Sequence, residues 1–253
     1  MKFIQPHTET GPVQRSFLFY SSPKSGKTTL ALSLAELGPV LYIAAESDGW
    51  QDAYENLPEA WKKNVQVAIP ESLQDIQNIA ADIQNGKNKA VIVDSFTALM
   101  NIVENQIKAK GGKHVVAGIT NKLSLASFGD LANVMIEFVH ALKNSGKHIV
   151  LICGEDTERI ENAEGVVMRK NPLMTGAKTA TMLPYEVRAI GYLRAINGKR
   201  ELWFEASQQW MAGTNYKALS DARMIESPTF AKIFSLFPKP VSNAAPTKAD
   251  KKA

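Results

Sequence analysis

The sequence predicts an α/β fold: a mostly parallel, doubly wound sheet between helices, with antiparallel strands added at its C-terminal edge. Three observations carry this. Short apolar runs with no polar face recur along the chain, as expected of strands covered on both sides. Segments with apolar residues at helical spacing alternate with them. From about Tyr185 the alternation gives way to strand-rich sequence.

Ser16–Tyr20 is the first apolar run, and a Gly/Pro/Ser loop follows it. A helix through Leu30, Leu34 and Leu37 ends at Gly38-Pro39. Val40–Ala44 is a second buried strand and Val65–Ile69 a third. Leu73, Ile76, Ile79, Ala80 and Ile83 mark a helix that stops at Gly86. Ala90–Val93 is a strand without a polar face. Phe128, Leu131, Met135, Phe138 and Leu142 lie on one side of a long amphipathic helix, begun by Ser127 and ended at Asn144-Ser145-Gly146. His148–Cys153 is again a buried strand. Val187–Leu193 and Glu201–Ala206 are the expected antiparallel additions. Phe230, Ile233, Phe234 and Phe237 form one face of a terminal helix, either core or a protomer contact. Trp50, Trp61, Trp203 and Trp210 read as packing anchors.

The 253 residues divide into an extension over 1–11, one domain over 12–237 and a tail over 238–253. The tail is rich in Pro, Ala, Ser, Thr and Lys and reads as disordered. The formal charge of +4 comes mostly from it. Lys239, Lys248, Lys251 and Lys252 against Asp250 give +3, leaving 25 basic and 24 acidic residues in the body. One cysteine, Cys153, cannot form an internal disulfide, which fits a reducing compartment. Residues 1–7 hold no apolar segment of the secretory type, and no apolar run approaches the ~20 residues of a membrane span. His7, His114, His140 and His148 show no metal-ligand spacing with Cys153, so zinc and thiol chemistry are not expected.

The loop after the first strand reads Ser21-Ser22-Pro23-Lys24-Ser25-Gly26-Lys27-Thr28-Thr29, a Walker A phosphate loop in which Ser21 stands where the pattern has glycine. The loop from Ser22 to Thr29 would wrap a β-phosphate with its backbone N–H groups, Pro23 carrying none. Gly26 allows close approach, Lys27 reaches the β and γ oxygens, and the Thr28 hydroxyl holds Mg²⁺. The strand Ala90–Val93 ends in Asp94-Ser95, placing an acid at the sheet edge where ligands bind. Asp94 suits Mg²⁺, directly or through water, and also suits a helix N-cap; the two roles are compatible. No second acid follows it. Glu46, after the second strand, is the candidate for orienting an attacking water, with Asp48 as a weaker rival.

With these motifs in order, the chain resembles the RecA-like P-loop ATPases. The carrying segments are the phosphate loop through Thr28, Tyr42-Ile-Ala-Ala-Glu46, and Val91-Ile-Val-Asp94-Ser95-Phe-Thr-Ala-Leu99. Its size and the segment from Arg169 to Lys178 resemble the short phage-encoded members linked to single-strand annealing and recombination. The resemblance covers roughly residues 12–237. It implies ATP and Mg²⁺ as ligands, hydrolysis stimulated by DNA, and a homo-oligomeric ring or filament. It also implies single-stranded DNA, with a single-strand-binding protein as a further partner, no membrane, and the host cytoplasm as location. Two departures stand out: Ser21, and Gly154-Glu155-Asp156 where a polar sensor such as Gln is usual. Lys178, Lys199 and Arg200 are candidates for a finger acting in trans.

Two DNA-facing loops are implied. The first, about Lys108 to Lys122, carries Lys108, Lys110, Lys113, His114 and Lys122 with no acid, and Gly111-Gly112 makes it mobile. Its charge of +4 exceeds that of the whole body and suits phosphate contacts. A solvated lysine-rich surface is the plainer reading. The second, about Asp156 to Met182, carries Arg169, Lys170 and Lys178 among several acids. Two other functions stay open: a small-molecule phosphotransferase, against which the absence of arginines in 108–122 counts, and a nucleotide-gated assembly protein with little turnover.

Overall fold

The computed structural model describes residues 13–46, 48–116, 119–162 and 165–238. The expected extension over 1–11 and all of the expected tail but Pro238 lie outside the described residues. The elements run β1 (Ser16–Tyr20), α1 (Lys27–Leu32) with a 3-10 continuation over Ser33–Leu37, β2 (Val40–Ala44), α2 (Trp50–Glu55), α3 (Glu59–Lys62) and β3 (Val65–Ala68). Next come α4 (Leu73–Asn85), β4 (Ala90–Asp94), α5 (Phe96–Ala109), β5 (Val115–Val116), β6 (Ile119–Leu123), α6 (Leu125–Asn144) and β7 (His148–Cys153). The chain continues through β8 (Glu155–Asn162), β9 (Gly165–Pro172), α7 (Ala177–Glu186), β10 (Ala189–Ile196), β11 (Lys199–Trp203), β12 (Gly213–Thr214), α8 (Lys217–Ala222), β13 (Met224–Glu226) and α9 (Phe230–Ser235).

The central sheet has the order β13-β11-β10-β1-β7-β4-β2-β3, with β12 on β10. From β10 to β3 every pairing is parallel, whereas β11, β12 and β13 are antiparallel. Alternation along the strands divides the core in two. Phe17, Phe19, Tyr42, Ile92, Val150 and Ile152 face α1, α8 and α9. Leu18, Leu41, Ile43, Val91, Val93 and Leu151 face α4, α5 and α6. Helix α6 has the length and apolarity of a membrane span, with a mean hydropathy of 1.2. Its Leu131, Met135, Val139 and Leu142 are nevertheless fully buried, as in a core helix.

Several expectations change. The strand expected at Val187–Leu193 runs from Ala189 to Ile196 and is parallel to β1, not antiparallel. Helix α7 lies between β9 and β10 and acts as a crossover, which permits parallel pairing. The long helix is capped by Ser124, whose hydroxyl accepts the Ser127 N–H, so it begins before Ser127. The helix after the phosphate loop tightens to 3-10 geometry at Ser33. The segment 108–122 is the end of α5, a 3-10 turn and the β5–β6 hairpin, and 156–182 is mostly the β8–β9 hairpin and α7. Phe230 and Ile233 are wholly buried, so the terminal helix belongs to the core.

His148, at the start of β7, accepts the Arg15 N–H on Nδ1 at 3.1 Å and meets the Phe234 ring edge-on. Burial, and secondarily the Arg15 charge, push its pKa down to about 4. The unfolded chain therefore binds a proton that the folded chain refuses between the ordinary value near 6.5 and about 4. Stability is expected to fall with pH across that window, by up to about 3 kcal/mol. Urea midpoints at pH 7 and pH 5 should differ more for the wild type than for His148→Gln. Equal shifts would remove His148 as the cause.

Candidate nucleotide site

The phosphate loop leaves β1 at the strand's C-terminal end and turns into α1 through two left-handed residues, Lys24 (φ 63) and Gly26 (φ 92). The Ser25 hydroxyl donates to the Ser22 carbonyl at 2.8 Å and braces the turn. Gly26 caps α1 with no side-chain hydrogen bond, so the first N–H groups of the helix are presented to a ligand. Lys27 Nζ reaches back to the carbonyls of Ser21 and Ser22, both at 3.0 Å, and to the Ser21 hydroxyl at 3.2 Å. Ser21 thus adds an oxygen that glycine would lack. Burial lowers the Lys27 pKa, and the charges of Asp94 and Glu46 oppose the shift.

Strand parity explains where Asp94 sits. Ile92 faces α1, so Asp94, two residues on, faces α1 as well. Its Oδ2 accepts the Thr28 hydroxyl at 2.7 Å and the Tyr42 hydroxyl at 2.7 Å. Asp94 is 7% exposed, and burial raises its pKa despite those two hydrogen bonds. A divalent cation beside it would reverse that shift. Mg²⁺ commonly takes one or two protein oxygens and fills its shell with phosphate and water. Among the described residues no three His, Cys, Asp or Glu side chains form a metal cluster, and the Thr28–Asp94 pair is the donor set that fits.

Glu46 follows β2 and is exposed, with Oε1 accepting the Ser95 hydroxyl at 2.6 Å. Ser95 also caps α5, taking the Ala98 N–H. Two residues further, Thr97 Oγ1 accepts the Gly154 N–H at 3.1 Å and donates to the Leu173 carbonyl at 2.9 Å. One turn of α5 therefore joins the Glu46 side of the site to both roots of the β8–β9 hairpin. Cys153 lies beside it, fully buried, and burial pushes its thiol pKa up to about 12. The thiol is expected to resist a disulfide reagent in the native protein and to react once urea unfolds it. Rapid native labelling would contradict that burial.

The candidate nucleic-acid residues divide between two regions, the end of α5 through β6 and β9 through α7. Gln106 Oε1 accepts the Leu73 N–H at the start of α4, so the last turns of α5 end at the sheet edge that carries the phosphate loop. The β5–β6 hairpin follows there, and its first turn is tied to α6 by His114 Nδ1 and Ser127 Oγ at 3.2 Å. Lys110, Lys113 and Lys122 are exposed, whereas Lys108 pairs with Glu104 at 2.5 Å. On β9, Lys170 pairs with Glu155 at 2.8 Å, and Arg169 is half-buried. Lys178, on α7, donates to Asn133 at 2.8 Å. Trp203 and Trp210 do more than anchor: with Arg194 over both rings, they form a cationic aromatic cluster beside Tyr192.

A cleft of about 610 Å³ opens beside the phosphate loop, bounded by Gly26, Thr29, Asn56, Trp61, Arg200 and Pro228. Sequence reasoning did not single out Tyr42, Thr97 or this cleft. Tyr42 sits in an apolar run and reads as core, and its hydroxyl is placed only by the register Ala44↔Asp94.

A parallel sheet, a phosphate loop after its β1 strand and a buried aspartate hydrogen-bonded to the loop threonine define a P-loop NTPase core. The AAA domain family matches residues 14–216, and the chain belongs to it. It is an ATP-binding domain of the P-loop ATPase type. No curated protein matches the sequence.

Proposed function

We propose that the protein hydrolyses ATP with Mg²⁺ and acts on single-stranded DNA as a homo-oligomer, like the short phage-encoded RecA-like recombination proteins it resembles. The observation that carries this reading is positional. The β5–β6 and β8–β9 hairpins, with Lys122, Arg169 and Lys170 on their strands and Lys110 and Lys113 in the turn leading into the first, grow from the edge of the sheet that presents the phosphate loop. ATP would place its triphosphate along residues 22–29 and its nucleoside in the adjoining cleft. Thr28 and Asp94 would hold Mg²⁺, which supplies charge neutralisation on the β and γ oxygens. Glu46 would orient the attacking water and accept its proton.

The test is phosphate release with and without a single-stranded oligonucleotide, beside fluorescence anisotropy on single- and double-stranded oligonucleotides at two salt concentrations. Stimulated turnover and salt-sensitive, single-strand-selective binding are expected. Turnover indifferent to DNA, with no binding at low salt, would remove the DNA role and leave the ATPase.

A further inference from the structure

We infer that Arg200 binds the diphosphate of the nucleotide held by its own chain. This rests on the nucleotide reading above and assigns to it a residue from the opposite end of the sequence. Strand β10 runs beside β1 in register Tyr20↔Tyr192 and then continues four residues past the end of β1. It reverses through Asn197-Gly198, both with positive φ (50° and 77°), a two-residue turn that fixes the returning strand tightly. Arg200 then lies opposite Ala195, above the point where the phosphate loop leaves the sheet.

Parity decides which way it faces. Leu193 and Leu202 are paired and both belong to the α1 side of the core. Ala195 and Arg200, one step along the same face, therefore project to the α1 side as well. Lys199, the neighbouring candidate, falls on the other face. The guanidinium comes down on Gly26: a Cβ built there would lie 2.5 Å from Arg200 Nε and 2.6 Å from Cζ. Gly26 needs to be glycine for its φ of 92°, and the bare Cα also lets the guanidinium approach the loop closely.

The contact lies on the Gly26 and Thr29 side of the loop, where the cleft opens. Glu46 and Asp94, the groups expected around the γ-phosphate, do not line that cleft and are tied to Ser95 and Thr28 instead. Arg200 is therefore placed for the α and β phosphate oxygens and against the γ. Its bidentate N–H groups suit two phosphate oxygens at once. Such a contact is made to ATP and ADP alike, so it strengthens binding without favouring the transition state.

Affinities for fluorescent ADP and ATP analogues in wild type, Arg200→Ala and Arg200→Lys test this, together with steady-state kinetics. Arg200→Ala should weaken both nucleotides about tenfold, the loss of one charge-assisted contact. KM should rise by a similar factor with kcat within about twofold of wild type. Arg200→Lys should fall between the two, because it keeps the charge and loses the fork. Unchanged ADP affinity with a collapsed kcat would overturn the assignment in favour of a γ-phosphate finger. Turnover restored by mixing Arg200→Ala with Lys27→Ala would overturn it in favour of action between protomers. A wild type that binds neither nucleotide would overturn the nucleotide reading itself.

Discussion

Lys27→Ala is expected to lower kcat/KM for ATP by about 10²–10³-fold, the usual cost of deleting a preorganised charge from a developing anion. Two loop carbonyls and the Ser21 hydroxyl hold the Lys27 ammonium within 3.2 Å. Alanine removes the charge and also strips three oxygens of their donor, so the loop itself should loosen at a cost of about 1–2 kcal/mol in stability. Phosphate release, nucleotide affinity and a urea midpoint separate the two effects. Full activity in Lys27→Ala would end the ATPase reading, because no other described lysine approaches the phosphate loop this way.

Glu46→Gln should give the opposite signature: ATP affinity close to wild type and single-turnover hydrolysis slower by about 10²–10⁴-fold. The amide oxygen can still accept the Ser95 hydroxyl, so the side chain keeps its place and only its basicity is lost. Asp48 is exposed, and the Ser95 hydroxyl at the α5 cap goes to Glu46, so Asp48→Asn should leave turnover near wild type. If Asp48→Asn stops hydrolysis while Glu46→Gln does not, the two acids exchange roles. Little turnover in the wild type, with function intact in Glu46→Gln, would favour a nucleotide-gated assembly protein, and oligomer mass with and without ATP would then be the measurement that matters.

The central strands were legible because their environment is simple. A strand buried on both faces shows an unbroken apolar run, and β1, β2, β4 and β7 are each almost wholly buried. Direction was less legible. Whether β10 runs parallel or antiparallel depends on what connects it, and α7 carries a weak pattern with Thr179 and Leu183 as its buried residues and Pro184 within it. The β8–β9 hairpin left no burial signature, because its strands pair with each other outside the central sheet and β8 is dominated by charged side chains. In the site, the phosphate loop, Asp94 and Glu46 were readable because spacing and strand ends suffice to find them. Tyr42 was not, since an aromatic in an apolar run gains its meaning from register, and Arg200 stood out only as a candidate for action in trans, its contact with Gly26 of its own chain following from the β10–β11 register.

The Thr97 hydroxyl has a mechanical consequence. It grips the hairpin at Gly154 and Leu173, the residues just outside its two eight-residue strands, and Leu173 N–H closes the base on the Gly154 carbonyl at 2.9 Å. The hairpin is a lever arm of about 25 Å with its fulcrum two residues along the chain from the Glu46–Ser95 bond. A rotation of about 5° at that fulcrum sweeps the far end through about 2 Å, two-thirds of a strand residue's rise. A displacement too small to disturb the sheet would thus be large enough at the tip to make or break a hydrogen bond.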